Sequence, residues 1–487
     1  MLARSQRFLG SLPSLNHHRP GAPMLRALLL SLLALAPLAH ADELHFSTFR
    51  FGQRAMGMGG AVTAYADEPE ATFYNPAGLA MLGGTRFSGA LNFIGFDRRT
   101  QRGALRDAAF FQPGDLDSEE FVAIPASSVL TSTFAEGRHV LALSTFLQSD
   151  SEEDFSGSHE QALTGDTYDF VRFTTERRRE DEILLRGVSW GYRGGPTWAV
   201  GASVFLARQI RREVARRAEV LQRVSNGDSL FLDVSTREES TTHGLLARVG
   251  ALWRPSERWS FGIACSTPSV TVLGEGKVGY TQIRSGGLAG DDRPLLVDER
   301  VDLDATTVLP ADCRAGLAWR VPDRLVVGFD VAVHLPVDYD RYTLTPALAP
   351  RADELQAHVQ TDTVVNAAVG LEWRASDRWP LRVGLFTNRT AAPAIDARPA
   401  ALAPAHVDLY GATASLGYLG DDGSVNVGAE LQVGSGEDAI SADLESLRAD
   451  RDFIRVDRSE WRLLLFVSGA VTFAKAAAKA ISSAWGE

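Results

Sequence analysis

Arginine is the side chain through which this chain could do chemistry. Arg248, Arg314 and Arg462 each lie in a segment of alternating polar and apolar residues, on the parity opposite the apolar face. A guanidinium held there either pairs with a carboxylate of the protein or holds the carboxylate of a ligand through two parallel hydrogen bonds. Arg382, Asp330, Glu372 and Glu430 share that parity, so pairing across an enclosed space is expected for most of the set. Catalytic and metal signatures do not accompany them. The sequence has no G-x-S-x-G elbow and no H-E-x-x-H, and its G-x-G groupings at residues 57–59 and 434–436 lack a βαβ setting. His243, His334 and His406 are scattered and read as solvated or inward polar residues. No catalytic residue, metal or cofactor is therefore expected. Cys265 and Cys313, the only cysteines, are too few for a disulfide scaffold or a four-ligand zinc site. A cross-strand disulfide and two free thiols both remain open, because register cannot be read from sequence closely enough to test the separation a disulfide needs.

The elements that must carry these residues are strands. From Trp461 to Val471 the odd positions are Trp461, Leu463, Leu465, Val467, Gly469 and Val471, against Arg462 and Ser468 on the other parity. Val425, Val427, Ala429, Leu431 and Val433 repeat the pattern, as do Leu325, Val327, Phe329, Val331 and Val333. Tight turns recur at residues 135–138, 193–196, 254–257, 320–323, 374–377 and 419–423, with longer polar connections between the hairpins. Counting the strands that flank these turns, plus one at each end, gives about fourteen, the even number that closes a bacterial barrel. Trp190, Trp198, Trp253, Trp259, Trp319, Trp373 and Trp379 all fall within a few residues of a short turn. That is the placement of an aromatic girdle at one lipid interface. Trp253, Trp319 and Trp373 are expected to face lipid, and Gly316 and Gly328 the lumen. Gly201, Gly250, Gly262, Gly316, Gly328, Gly370, Gly384 and Gly428 gather on the inward parity near the short turns, so something is expected to fill that end of the barrel.

Composition agrees. With 45% hydrophobic residues and a mean hydropathy of -0.07, the chain is not a helical polytopic membrane protein, whose every span needs about 20 apolar residues. A net charge of -12 excludes the basic footprint of a nucleic-acid binder. One apolar run, Ala27 to Leu38, follows Met24-Leu25-Arg26 and ends in Ala39-His40-Ala41, the form of a cleavable secretory signal. Residues 1–41 are thus read as a signal peptide, with Met1 and Met24 as alternative starts. Residues 42–85 are read as an N-terminal plug, 86–473 as the barrel, and the Ala/Lys-rich stretch 474–487 as a C-terminal periplasmic extension.

The segment after the signal reads Phe51-Gly52-Gln53-Arg54-Ala55-Met56-Gly57-Met58-Gly59-Gly60-Ala61, and later Asn75-Pro76-Ala77. It resembles the N-terminal hatch of the FadL/TodX family, with Gly57, Gly59, Gly60, Asn75, Pro76 and Ala77 as the motif residues. Val122-Ala123-Ile124-Pro125, Leu309-Pro310-Ala311-Asp312 and His406-Val407-Asp408-Leu409-Tyr410-Gly411 are similar to the family's barrel, more loosely. The resemblance implies an all-β transmembrane antiparallel barrel of about 14 strands with a hatch in its lumen. It further implies a monomeric outer-membrane channel of a Gram-negative-type envelope, among lipid and lipopolysaccharide. Such a channel takes up hydrophobic molecules, long-chain fatty acids or aromatic hydrocarbons, without an energy-coupling partner. Arg248, Arg314 and Arg462 are the candidates for binding an acid ligand, and a mostly apolar cavity is expected above the hatch. Family members can also release ligand sideways at an inward kink of the third strand. His139 to Gln148 has no Gly or Pro to form one, so no such kink is expected here. A related Asn-Pro-Ala segment occurs in barrels resembling the PorV group, adaptors for secreted proteins; a lumen packed shut would favour that reading.

Overall fold

The structure, a computed structural model, describes residues 44–46, 48–105, 114–162, 170–222, 229–285, 295–346, 348–349, 357–395, 404–441 and 453–472. The expected signal peptide, the alternative start and the C-terminal extension lie outside the described residues.

Fourteen antiparallel strands close into a barrel. They are β1 (Arg86–Leu105), β2 (Gly114–Phe134), β3 (His139–Ala162), β4 (Phe170–Arg193), β5 (Trp198–Gln222) and β6 (Ser229–Trp253). β7 runs in two pieces, Trp259–Ser266 and Val270–Ser285, and so does β8, Leu295–Asp304 and Asp312–Val321. β9 (Leu325–His334), β10 (Val364–Ser376), β11 (Trp379–Asn388), β12 (His406–Leu419), β13 (Gly423–Ser441) and β14 (Phe453–Thr472) complete the wall. β14 pairs with β1 from Arg86↔Thr472 to Gln101↔Arg458, which closes it.

Alternation fixes which face each residue takes. Val425, Val427, Leu431 and Val433 point outward and are exposed, while Asn426, Glu430 and Gln432 between them are buried inside. Trp253 and Trp373 face outward beside the short turns, Trp319 shares the outward parity of Cys313 and Ala315, and Trp190, Trp198, Trp259 and Trp379 complete the ring. A continuous apolar exterior ending in tryptophans is the surface of a barrel that sits in lipid. The short turns lie where the sequence puts them. Ala135, Glu136 and Gly137 turn with positive φ of 50°, 55° and 81°, and Asp323 with 58°.

Three expectations are corrected. The polar stretches read as long connections are largely strand: β3 and β4 have 24 residues each and β5 and β6 have 25. About 9–11 residues suffice to cross a bilayer, so these strands run well past the apolar belt. Beyond it their charges pair from strand to strand, as Arg178 with Glu152 and Arg212 with Glu180 do. The third strand does deform, without Gly or Pro. Its register with β4 shifts between Leu147 and Ser149, and its ladder to β2 ends at Ser127↔Phe146. A bulge needs only one unpaired residue. Above the break, side chains replace backbone partners: Asp154 N–H donates to Ser118 Oγ at 2.9 Å. The inward charges, finally, pair within the wall only in part: Arg382 meets Glu372, Arg248 meets Asp312 and Arg462 meets Asp97, whereas Glu430 and Asp330 are met by the N-terminal segment.

Cys265 and Cys313 stand opposite each other on β7 and β8, 4.1 Å apart at Cα, and form a disulfide. It lies just below the interruptions at residues 267–269 and 305–311, where side chains stitch the two strands. Leu309 N–H donates to Ser269 Oγ and Thr307 N–H to Thr271 Oγ1.

Candidate functional site

Residues 48–82 fill the short-turn half of the lumen and are almost entirely buried. The segment contains α1 (Gln53–Gly57), α2 (Ala71–Tyr74) and a 3₁₀ helix at Pro76–Met81. Helices this short do not hold themselves together, so the wall must hold them. It does so from many directions. Arg50 reaches Glu430 at 2.8 Å, and Arg54 reaches Glu372 at 3.0 Å, where Arg382 also donates at 2.7 Å. Asp330 accepts the backbone N–H groups of Val62 and Thr63, Thr413 donates to the Gly57 carbonyl and Ser203 to the Thr72 carbonyl. Unpaired acids would be costly here, so each of these inward carboxylates is matched by a group of the segment.

The inward glycines have a shared physical cause. A Cβ at Gly201, Gly250, Gly262, Gly316, Gly328, Gly370 or Gly384 would overlap the segment, at Pro76, Asn75, Thr63, Ala64, Ala61, Met58 and Met58 respectively. For Gly370 the nearest segment atoms would be 2.5 Å away, for Gly316 2.8 Å. Gly428 differs, since its neighbours are Ala414, Ser415 and Phe466 of the wall. Gly191 belongs to the ring as well, against Leu79 and Ala80, and shares the inward parity, next to the outward Trp190.

The motif residues all lie inside. Gly57 packs against Arg382 and Ser415, and Gly59 and Gly60 take φ of 65° and 89°, a left-handed turn that brings Gly59 against the β11 backbone at Gly384. Asn75 is fully buried. Its Nδ2 donates to the carbonyls of Thr63 at 2.9 Å and Ala251 at 3.1 Å, and its Oδ1 accepts Ala77 N–H at 3.2 Å. Pro76 opens the 3₁₀ helix, where a missing N–H costs nothing.

The three candidate arginines part company. Arg248 and Arg314 meet above the segment at one carboxylate: Arg248 Nη2 is 2.8 Å from Asp312 Oδ1 and Arg314 Nε 3.5 Å from Asp312 Oδ2. Arg248 also donates to the Phe73 carbonyl and lies over the Phe73 ring at 4.9 Å. Arg314 lies 5.7 Å from the rings of both Phe73 and Tyr74. Asp330, which borders the same cavity as Arg314, is the second acid beside the pair. Arg462 is elsewhere, bonded to Asp97 in a buried network with Arg99, Glu153, Asp438, Arg458 and Glu460. That network crosses from β1, β13 and β14 to β3, and nothing in the alternation announced it, because a charge run reads equally well as a solvated loop.

Above the segment, where a mostly apolar continuous cavity is expected, the described cavities are small. Two small cavities, ≈ 60 and ≈ 30 Å³, adjoin there and share Phe46, Phe73 and Arg314. The cause is the stretch ahead of the segment: Phe46 stacks 5.1 Å from His334, Leu44 accepts Ala391 N–H, and His45 contacts the Val407 carbonyl. The smaller cavity has apolar walls at Leu185, Phe205, Leu246 and Leu309 and a polar end where Arg248 and Arg314 stand with Asp312, Ser266 and His334, and Gln148 of the β3 bulge is on its border.

A closed wall, a buried N-terminal segment and a polar-ended cavity above it define a plugged fourteen-stranded transmembrane barrel. Its fold is that of solved hydrocarbon-transporter structures. A Pseudomonas aeruginosa FadL homologue superposes with a TM-score of 0.55 at 13% identity, covering 88% of this chain and 100% of that one. The P. putida toluene transporter TodX gives 0.55 at 15% identity, covering 87% and 98%. The CymD monoaromatic hydrocarbon channel gives 0.50 at 13%, covering 87% and 97%. The sequence matches no family model and no curated protein.

Proposed function

We propose that this chain is an outer-membrane channel for passive uptake of hydrophobic molecules, long-chain carboxylic acids in particular, with residues 48–82 as its hatch. The observation that carries the reading is the Arg248–Asp312–Arg314 group at the end of an apolar-walled cavity resting on the hatch. Apolar walls capture a hydrophobic solute at roughly 25 cal/mol per Å² of surface removed from water, so no energy source is needed. Arg314, whose contact with Asp312 is the longer of the two at 3.5 Å, takes the carboxylate. The similarity in fold to channels named for hydrocarbons agrees with this, and aromatic hydrocarbons, which lack the charge, would use the walls alone. Release requires movement of the hatch and of the stretch around Phe46 that narrows the cavity.

The narrow lumen is the one feature a PorV-like adaptor would share. Such an adaptor has no use for a polar-ended cavity bordered by the β3 bulge. Replacing Arg314 with Gln tests the point: uptake of a labelled long-chain fatty acid is expected to fall about tenfold, the loss of one charge-assisted bond, with little change for a neutral hydrocarbon of similar size. Equal effects on both would remove Arg314 from acid binding.

A further inference from the structure

The lipid-facing wall carries a second feature. On β4 the outward residues above Trp190 are Val188 and then Arg186, a cation among exposed apolar side chains. Among the described residues Arg186 has neither a hydrogen bond nor an ion pair. It is four residues from the girdle tryptophan, which at ~3.3 Å per residue and a tilt near 40° places it roughly 10 Å into the hydrocarbon. An unpaired charge at that depth is costly and marks a functional position in membrane proteins generally.

Its neighbours shape a site. Register sets Gly469, Gly89, Ser128, Thr145 and Arg186 side by side on β14, β1, β2, β3 and β4. Small and hydroxyl side chains thus form a trough that ends at the guanidinium. Phe87, Leu130, Leu143, Val188, Val204 and Leu206 wall an open groove of ≈ 560 Å³ around it. The β2–β3 ladder ends at Ser127↔Phe146, directly above the Ser128↔Thr145 pair.

We infer that this groove is an exterior binding site for a long-chain carboxylate, the alkyl chain along the apolar trough and the carboxylate on Arg186 with Ser128 and Thr145 beside it. Depth selects the head group. A carboxylate is small enough to lie roughly 10 Å below the interface, whereas a phosphodiester with its polar substituent would have to leave the headgroup layer to reach the trough. The site lies beside the point where the β2–β3 ladder ends. The inference rests on the transport reading for the origin of its ligand.

Full-length protein in nanodiscs of zwitterionic phospholipid would be irradiated with palmitic acid carrying a diazirine, and in parallel with the methyl ester of the same probe. Adducts would be mapped by peptide mass spectrometry. The acid is expected to mark Leu143, Val188 and Leu206, the ester about tenfold less. Arg186→Gln should lower the acid's exterior adducts to the ester's level, and Arg186→Lys should retain most of them. Both variants lie on the lipid face and leave the core intact, which heat-modifiable gel mobility checks. Equal marking by acid and ester, or marking indifferent to Arg186, overturns the site. So does Arg186-dependent marking by diazirine phosphatidylglycerol that excludes the acid, which would make the occupant a membrane phospholipid. Adducts at Phe73 and Leu309 report the lumen separately: their absence with exterior adducts present sinks the transport reading, and the reverse sinks only the groove.

Discussion

Replacing Asn75 with Ala should loosen the hatch without unfolding the barrel. The side chain makes three buried hydrogen bonds, two donated to Thr63 and Ala251 and one accepted from Ala77. At about 1 kcal/mol each the loss is ~3 kcal/mol, and a shift of that size changes the docked-to-undocked ratio by roughly 150-fold. The wall closes through its own strand pairing, so its melting should change little. Asn75→Asp keeps the acceptor for Ala77 but turns its second oxygen toward the Thr63 and Ala251 carbonyls, so it should loosen the hatch at least as much as Ala does. Planar-bilayer recording reads the effect as open events or raised mean conductance for Asn75→Ala, and for Asn75→Asp to at least the same extent. Limited proteolysis should cut within residues 48–82 more readily in both variants. Conductance and cleavage indistinguishable from the parent protein, in a variant that folds, would refute the claim that Asn75 ties the hatch to the wall.

Gly328→Leu places a side chain where the Ala61 carbonyl lies; the barrel should still assemble in detergent, but with residues 48–82 open to protease, and protection equal to the parent would contradict close docking. Replacing Cys265 and Cys313 together with Ser removes a link between residues 48 apart. The chain-entropy relation gives ~4 kcal/mol as its upper value, read as a lower temperature for loss of heat-modifiable mobility. An unchanged transition would mean that the β7–β8 stitching suffices alone.

Much of the wall was legible because alternation on a strand has a period of two and lipid demands apolar side chains on one face. Val425 to Val433 and Trp461 to Val471 report their faces directly, and the tryptophans mark one end. The inward glycines pointed to a filled lumen because strand curvature, which accounts for any one of them, accounts less well for the set. What sequence could not supply is the identity of partners. Glu372 and Glu430 look the same whether they pair across a lumen or with Arg54 and Arg50, since parity gives a direction and not a distance. Charged stretches such as residues 176–182 of β4 show no apolar face, so strand and loop could not be told apart. The β3 bulge left no Gly or Pro to find. Arg186 was hidden by its neighbours, being one polar residue in an otherwise apolar outward row.

Uptake by whole cells with and without the protein bears most directly on the transport claim. Labelled palmitic acid and a labelled aromatic hydrocarbon would be supplied outside, and initial rates measured in a deletion strain, in the same strain complemented with the parent gene, and in one complemented with Arg314→Gln. Transport through this barrel predicts slow entry of both compounds in the deletion strain, recovery of both with the parent protein, and recovery of the hydrocarbon alone with the variant. Equal rates for both compounds in all three strains would contradict it.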